Sequence, residues 1–92
     1  MNKNRMTDLE LCGLIDRYYV PRFSRGSEEA TIYTLTSRER TSLFETLRQD
    51  LNHSRYASRN DERTPIGKAG LSGKFVTEAQ LARCLAMNYS AT

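Results

Sequence analysis

The sequence predicts an α+β domain of three helices, with a β-hairpin between the first two and a long basic loop before the last. Three threonines each open a helix-start pattern, and a run rich in β-branched and aromatic residues separates the first two patterns. The chain has 92 residues, a length that corresponds to one domain. This length excludes large catalytic scaffolds such as a barrel of about 250 residues.

The first helix is predicted from about Asp8 to Tyr18. Thr7 and Glu10 have capping-box spacing, in which the Thr hydroxyl accepts a bond from the third helical amide and the Glu carboxylate accepts one from the Thr amide. Pro21 is predicted to exclude continuation, because it has no amide hydrogen and restricts the residue before it. The expected buried face consists of Leu11, Leu14, Ile15 and Tyr18.

A β-hairpin is predicted after this helix. Residues 30–36 favour a strand through their Thr, Ile and Tyr side chains, and residues 19–23 are the expected antiparallel partner. Residues 24–29 would form the connecting loop, and Pro21 would place the partner at an edge of the sheet. A single strand and an irregular segment are the alternatives for this region.

Two further helices are predicted in the rest of the chain. The Thr-led patterns at residues 36–39 and 77–80 repeat the capping-box spacing. They predict a second helix over about residues 37–52 and a third over about residues 78–87. The expected core positions are Leu43, Phe44, Leu47 and Leu51 in the second helix, and Leu81, Cys84 and Leu85 in the third.

The segment between these helices is predicted to be irregular. Residues 54–73 are rich in Ser, Asn, Pro and Gly and poor in large apolar groups, which favours a long loop. Residues 74–76 are expected to add a short strand. The predicted organisation is a flexible tail over residues 1–6, a single domain over residues 7–88 and a second tail over residues 89–92.

The basic excess of the chain is concentrated in this loop. The formal net charge is +3, and residues 52–76 have five basic against two acidic residues. Arginine suits bidentate contact with phosphate or carboxylate, and Tyr and Arg are frequent at interface hot spots. An ordinary solvated surface accounts for the same charge. The residues predicted to bind a partner are Arg55, Tyr56, Arg59, Arg63, Lys68 and Lys74.

The sequence assigns no catalytic residue, no metal ligand and no cofactor. His53 and Tyr56 have acid–base chemistry suited to RNA cleavage, yet a His is also common at a helix C-terminus for electrostatic reasons. One His and two separated Cys do not make a zinc site. Cys12 and Cys84 are expected to be reduced, buried residues; a disulfide between them would require the first and last helices to pack together.

The predicted localisation is cytoplasmic. The N-terminus is polar and basic, and no apolar run of signal-peptide length follows it. No segment approaches the roughly 20 apolar residues that span a membrane.

In its small size, its lack of catalytic motifs and its basic loop, the whole chain resembles small phage-encoded anti-CRISPR proteins. The resemblance implies a non-catalytic inhibitor bound to a CRISPR surveillance complex, which is a multi-subunit ribonucleoprotein. The positive charge favours contact of Arg55, Arg59, Arg63 and Lys68 with guide-RNA phosphates or an acidic subunit surface, rather than DNA mimicry. The alternatives are a small regulator that binds the RNA or DNA backbone and a ribonuclease toxin.

Overall fold

A computed structural model describes residues 4–24, 29–54 and 62–88 of the chain. Within these ranges the regular structure is helical, apart from a single parallel bridge between Arg5 and Phe75. The elements in chain order are α1 (Asp8–Leu14), a π-helical turn (Ile15–Tyr19), α2 (Val20–Phe23), a 3₁₀ turn (Ile32–Thr34), α3 (Ser37–Ser54), α4 (Pro65–Lys68) and α5 (Glu78–Cys84).

The predicted α+β class is wrong, because the described residues contain no strand and no β-hairpin. Residues 20–23 are helical, and the Thr-rich segment after residue 30 forms a 3₁₀ turn. Its local bonds explain the outcome: the Thr31 hydroxyl accepts from the Tyr33 amide at 3.2 Å, and the Thr34 hydroxyl accepts from the Thr31 amide at 2.9 Å. Threonine side chains that bond neighbouring amides compete with pairing between strands.

The prediction that Pro21 ends the first helix is also wrong, since helical structure continues to Phe23. The π-helical turn provides the reason. The Val20 amide donates to the Ile15 carbonyl, five residues earlier, instead of to a carbonyl four residues earlier. This change of register makes Pro21 an early residue of α2, where a missing amide hydrogen leaves no helical bond unmade.

The π-helical turn also changes which tyrosine enters the core. A uniform helical period places Tyr18 on the buried face with Leu11 and Leu14. One extra residue in the turn rotates the following side chains, so that Tyr19 is 0% exposed and Tyr18 is half-buried. The predicted buried positions Leu11, Leu14 and Ile15, which precede the change of register, are confirmed.

Helix α3 confirms the second predicted helix and extends it to Ser54. Its capping box is formed as predicted: the Glu39 amide donates to the Thr36 hydroxyl at 3.0 Å, and the Thr36 amide donates to Glu39 at 2.7 Å. Phe44 is half-buried at the edge of the core. Leu43, Leu47 and Leu51 of α3 are buried as predicted. The core cluster consists of the buried hydrophobic residues Met6, Leu11, Leu14, Ile15, Tyr19, Val20, Leu35, Leu43, Leu47, Leu51, Ile66, Leu71, Leu81 and Leu85.

The described part of the predicted loop packs against α3. Thr64 caps α4 by accepting from the Gly67 amide at 3.0 Å, and the Gly73 amide donates to the Ser54 carbonyl at the end of α3 at 3.1 Å. Ile66 is 1% exposed, so this segment contributes to the core. Residues 55–61 lie outside the described residues. In place of the short strand predicted over residues 74–76, the structure has only the single bridge at Phe75.

Helices α1 and α5 form a seam that is linked covalently and electrostatically. Cys12 and Cys84 form a disulfide with a Cα–Cα distance of 5.5 Å, which corrects the prediction that both are reduced. Cys12 is exposed rather than buried. Beside the disulfide, Arg83 of α5 donates to Asp8 at 2.8 Å. We include Lys74, which precedes α5 in the chain, in this seam, because it donates to Glu10 of α1 at 2.7 Å.

Helix α5 is shorter than predicted and ends at Cys84. The Met87 amide donates to the Ala82 carbonyl and the Ala86 amide to the Arg83 carbonyl, which is the Schellman arrangement that closes a helix. Ala86 has a positive φ of 55° to make this turn. None of the helices in the described ranges has the combination of length and apolar character needed to cross a membrane.

Candidate functional site

The strongest candidate site is a cleft of about 290 Å³ between α2, the C-terminal end of α3 and the start of α4. We call it the cationic cleft. Arg22 of α2 and His53 in the last turn of α3 line this cleft. Arg63, which directly precedes the N-cap residue of α4, lines it as well. All three residues are exposed. Two guanidinium groups and an imidazole therefore converge around one concave surface.

Tyr19 and Asp50 form the base of the cationic cleft. The Tyr19 hydroxyl donates to the Asp50 carboxylate at 2.6 Å, while the Tyr19 ring is buried in the core. Burial, reinforced by the bond to Asp50, raises the pKa of the Tyr19 hydroxyl above its ordinary value. The phenol therefore remains a neutral donor that holds Asp50 in place.

Arg22 lies over the Tyr19 ring, with its guanidinium carbon 6.0 Å from the ring centre. This distance is at the outer limit of a cation–π contact. No carboxylate of the described residues pairs with Arg22. Its charge is held at the rim of the cleft by an aromatic face, and its N–H groups remain available to an anion.

Several lining atoms suit phosphate recognition. Guanidinium groups donate two parallel bonds to phosphate oxygens, and the Ser72 hydroxyl adds a further polar group to the cleft wall. Pro65 supplies apolar surface beside them. The arrangement can bind an anion through its oxygens while an apolar part of the same ligand covers Pro65.

The structure distributes the six predicted binding residues unevenly. Arg63 lines the cationic cleft, and Lys68 is exposed at the end of α4. Lys74 is engaged in the ion pair with Glu10. The other three, Arg55, Tyr56 and Arg59, lie outside the described residues.

Arg22 is the site residue that sequence reasoning missed. The predicted edge strand over residues 19–23 gives Arg22 no relation to His53. The signal lay in the spacing of Tyr19 and Arg22, which are three residues apart and face the same way on a helix. That signal has meaning only if helical structure continues through Pro21.

Metal binding has no support in the described part of the chain. No group of three or more His, Cys, Asp or Glu side chains there is arranged to hold an ion. Comparison of the chain with protein-family models, with curated proteins and with solved structures finds no significant match.

Proposed function

We propose that this protein is a non-catalytic inhibitor or regulator that docks on a larger ribonucleoprotein assembly and contacts RNA phosphates with its cationic cleft. The observation that carries the proposal is the convergence of Arg22, His53 and Arg63 on one cleft. The resemblance to anti-CRISPR proteins makes a CRISPR surveillance complex the first assembly to test.

The charge pattern supports contact with RNA phosphates. Elsewhere on the described surface, Arg48, Lys74 and Arg83 each have a carboxylate partner within 3.1 Å. Arg22 has none among the described residues, and the aromatic ring beside it does not neutralise its charge. A cation held in place without a carboxylate favours an anionic ligand.

Salt dependence of RNA binding tests the cleft directly. The probe is a fluorescein-labelled oligouridylate of about 4 nucleotides, followed by fluorescence anisotropy at several salt concentrations. For a single strand, the slope of log K against log salt is about −0.7 per neutralised phosphate. Replacing Arg22→Gln together with Arg63→Gln should therefore reduce its magnitude by about 1.4.

A matched control separates cleft contacts from net charge. Arg38→Gln with Arg83→Gln removes the same two charges from the opposite end of α3 and from α5. This control should retain the slope of the natural protein, and circular dichroism should show that both variants are folded. A salt-independent affinity, or equal slopes for both double variants, would rule out phosphate binding by the cleft.

Capture of the tagged protein from a bacterial lysate, with and without nuclease, tests the assembly. A stoichiometric set of proteins that remains after nuclease treatment supports docking on a ribonucleoprotein. Recovery of nucleic acid alone favours the small regulator of RNA or DNA instead. The decisive form uses a purified surveillance complex, whose binding should weaken in the Arg22 and Arg63 double variant but not in the control.

RNA cleavage is the second candidate, because His53 shares the cleft with two arginines. A His that exchanges a proton with a reacting phosphate, assisted by cations, is a common arrangement for such chemistry. Incubation of labelled RNA with the purified protein distinguishes the two functions. Cleavage that is lost in His53→Ala would establish the ribonuclease, whereas intact RNA would leave binding as the function of the cleft.

A further inference from the structure

Helix α4 separates the cationic cleft from a second concave surface. A groove of about 360 Å³ runs between α1 and α4 and is lined by Arg17, Tyr18 and Lys68 among others. We call it the α1–α4 groove. The cleft borders the first half of α4 through Pro65 and Ile66, and the groove borders its end through Lys68.

Arg17 and Lys68 differ from the cations of the α1–α5 seam. Both are exposed, and neither side chain makes an ion pair or a hydrogen bond with another of the described residues. Glu10 is the one carboxylate among the described residues that line the groove, and it accepts from Lys74 at 2.7 Å and from the Thr7 amide at 2.9 Å. The groove therefore presents two free positive charges beside a carboxylate that is already bonded.

The remaining groove wall suits a flexible anionic chain. Gly13 lies on the exposed side of α1, and a Cβ atom placed there would meet nothing within 4 Å. The backbone of α1 is thus open to close approach at this point. The half-buried ring of Tyr18 adds an aromatic surface of the kind on which bases stack.

We propose that the cationic cleft and the α1–α4 groove form one continuous track for single-stranded RNA, which crosses the ridge of α4. Arg22 and Arg63 bind phosphates on one side of the ridge, and Arg17 and Lys68 bind phosphates on the other. The proposal rests on the proposed function, and it adds the substrate class and two further binding residues.

A single strand fits this track better than a duplex does. The two concave surfaces lie on either side of a helix of four residues, which is about 6 Å long at 1.5 Å per residue. A ligand that enters both must bend over this short ridge. Duplex nucleic acid is stiff over such lengths, whereas a single strand changes direction at each nucleotide.

Oligonucleotide length separates the track from the cleft. The probes are labelled oligouridylates of about 4 and about 12 nucleotides, within the usual range of single-strand site sizes. Arg17→Gln with Lys68→Gln should reduce the magnitude of the salt slope for the long probe by about 1.4. The same double variant should leave the short probe unaffected, because the cleft alone accommodates it.

The matched control is again Arg38→Gln with Arg83→Gln. If the Arg17 and Lys68 double variant gives the same slope as this control on the long probe, the track is refuted while the cleft proposal survives. In another outcome, the cleft variant, with Arg22 and Arg63 replaced, leaves the salt slope unchanged while the groove variant lowers it for both probes. That result would refute phosphate binding by the cleft, and with it the continuous track. Absence of binding by the natural protein refutes both.

Two further outcomes would overturn the substrate class. A duplex of the same length, bound as tightly and with the same dependence on Arg17 and Lys68, would refute single-strand recognition. Polyglutamate of equal charge that displaces the long probe as well as unlabelled oligouridylate does would point to an acidic protein surface instead. Preferred binding of the long single strand over both competitors supports the proposal.

Discussion

The α1–α5 seam and the corner around α4 differ in what their cations contact. In the seam, Arg83 pairs with Asp8 and Lys74 with Glu10, beside a disulfide that joins the two helices. Around α4, Arg17 and Lys68 pair with no carboxylate of the described residues. The charges in the seam thus offset one another, whereas Arg17 and Lys68 have no such partner in the described part of the chain.

This comparison explains why counting basic residues is a poor guide to a binding surface. Lys74 and Lys68 lie in the same basic stretch of the sequence, six residues apart. Lys74 pairs with a carboxylate that is 64 residues away in the chain, and Lys68 pairs with none of the described carboxylates. A carboxylate partner offsets the field that would attract an anion, so Lys68 is the better candidate of the two for contact with an anion.

The largest expected effect concerns the disulfide of the seam. Cys12 and Cys84 are 72 residues apart, and closing a loop of that size restricts the unfolded chain by about 4 kcal/mol. Replacing both with Ser should lower the free energy of unfolding by about that amount. Urea denaturation followed by circular dichroism measures it.

Reductant provides the control for this change. Dithiothreitol should lower the unfolding midpoint of the natural protein toward that of the double Cys→Ser variant, and it should leave the variant unchanged. RNA affinity of the variant, measured where it is fully folded, should match that of the natural protein. An equal midpoint with and without reductant would mean that the bond does not stabilise the fold.

A smaller loss is expected at the base of the cleft. Tyr19→Phe removes the 2.6 Å bond to Asp50 and leaves that carboxylate without its donor. A hydrogen bond to a charged group contributes about 1.5–3 kcal/mol, so the free energy of unfolding should fall by that order. The ring remains in place, and Arg22 retains its aromatic contact.

Alkaline pH distinguishes this bond from simple packing. The pKa of Tyr19 is raised in the folded protein, so the unfolded chain loses the phenolic proton first. The resulting stabilisation is complete below the unfolded pKa of about 10, and it is lost as pH rises from there through the folded value. Urea midpoints above pH 10 should therefore fall more steeply for the natural protein than for Tyr19→Phe; equal slopes would contradict the assignment.

Hydrogen bonds at helix ends are predictable from the sequence where donor and acceptor are only a few residues apart. Thr7 and Glu10, three residues apart, form the predicted capping box, with the Glu10 amide 3.1 Å from the Thr7 hydroxyl. At Thr77 only half of the box forms. The Gln80 amide donates to Thr77, but its buried side chain donates to the carbonyl of Met6 at 2.7 Å. The Met6 carbonyl is 74 residues away in the chain, so no local sequence pattern could predict this bond.

The predicted α+β class is wrong for a related reason. A Pro and a run of β-branched residues are each typical of strands, and nothing in that stretch announces a change of helical register. The π-helical turn places Tyr19 in the core, where its hydroxyl donates to Asp50 of α3, 31 residues further along the chain. Charge alone makes Arg63 a candidate, and it stays a prediction, whereas the position of Arg22 beside the same cleft is apparent only from the fold.

The C-terminal ends of α4 and α5 differ in the residue that has a positive φ, and this difference predicts a stabilising substitution. Helix α4 closes with Gly70 at a φ of 73°, and α5 closes with Ala86 at a φ of 55° in the same bonding pattern. The left-handed region costs an L-residue about 1–2 kcal/mol, and glycine avoids this strain at some cost in chain entropy. Ala86→Gly should therefore raise the free energy of unfolding by about 0.5–1 kcal/mol.

Thermal or urea denaturation measures this gain. The matched control is Ala69→Gly, since Ala69 precedes Gly70 and has a right-handed φ of −79°. It should give no gain, since a right-handed residue has no left-handed strain to relieve. A loss of stability in Ala86→Gly would show that the turn at the end of α5 is not strained in solution.

The smallest effect is expected for Lys74, the predicted binding residue that the structure places in the seam. Its ion pair with Glu10 is partly exposed, and such pairs contribute at most about 1 kcal/mol. Lys74→Gln should lower stability by less than that and should leave the salt slope of RNA binding unchanged. A slope reduced as much as in Arg17→Gln would show that the ion pair opens to admit a phosphate.

Acid pH tests the pairing itself. The bond from Lys74, together with bonds from Thr7, holds the pKa of Glu10 below its ordinary value. The corresponding stabilisation is present above the unfolded pKa of about 4.3, and it is lost as pH falls through the lower folded value. Lys74→Gln should therefore flatten the decline of the urea midpoint below pH 4.3 relative to the natural protein, because a neutral amide no longer favours the charged carboxylate.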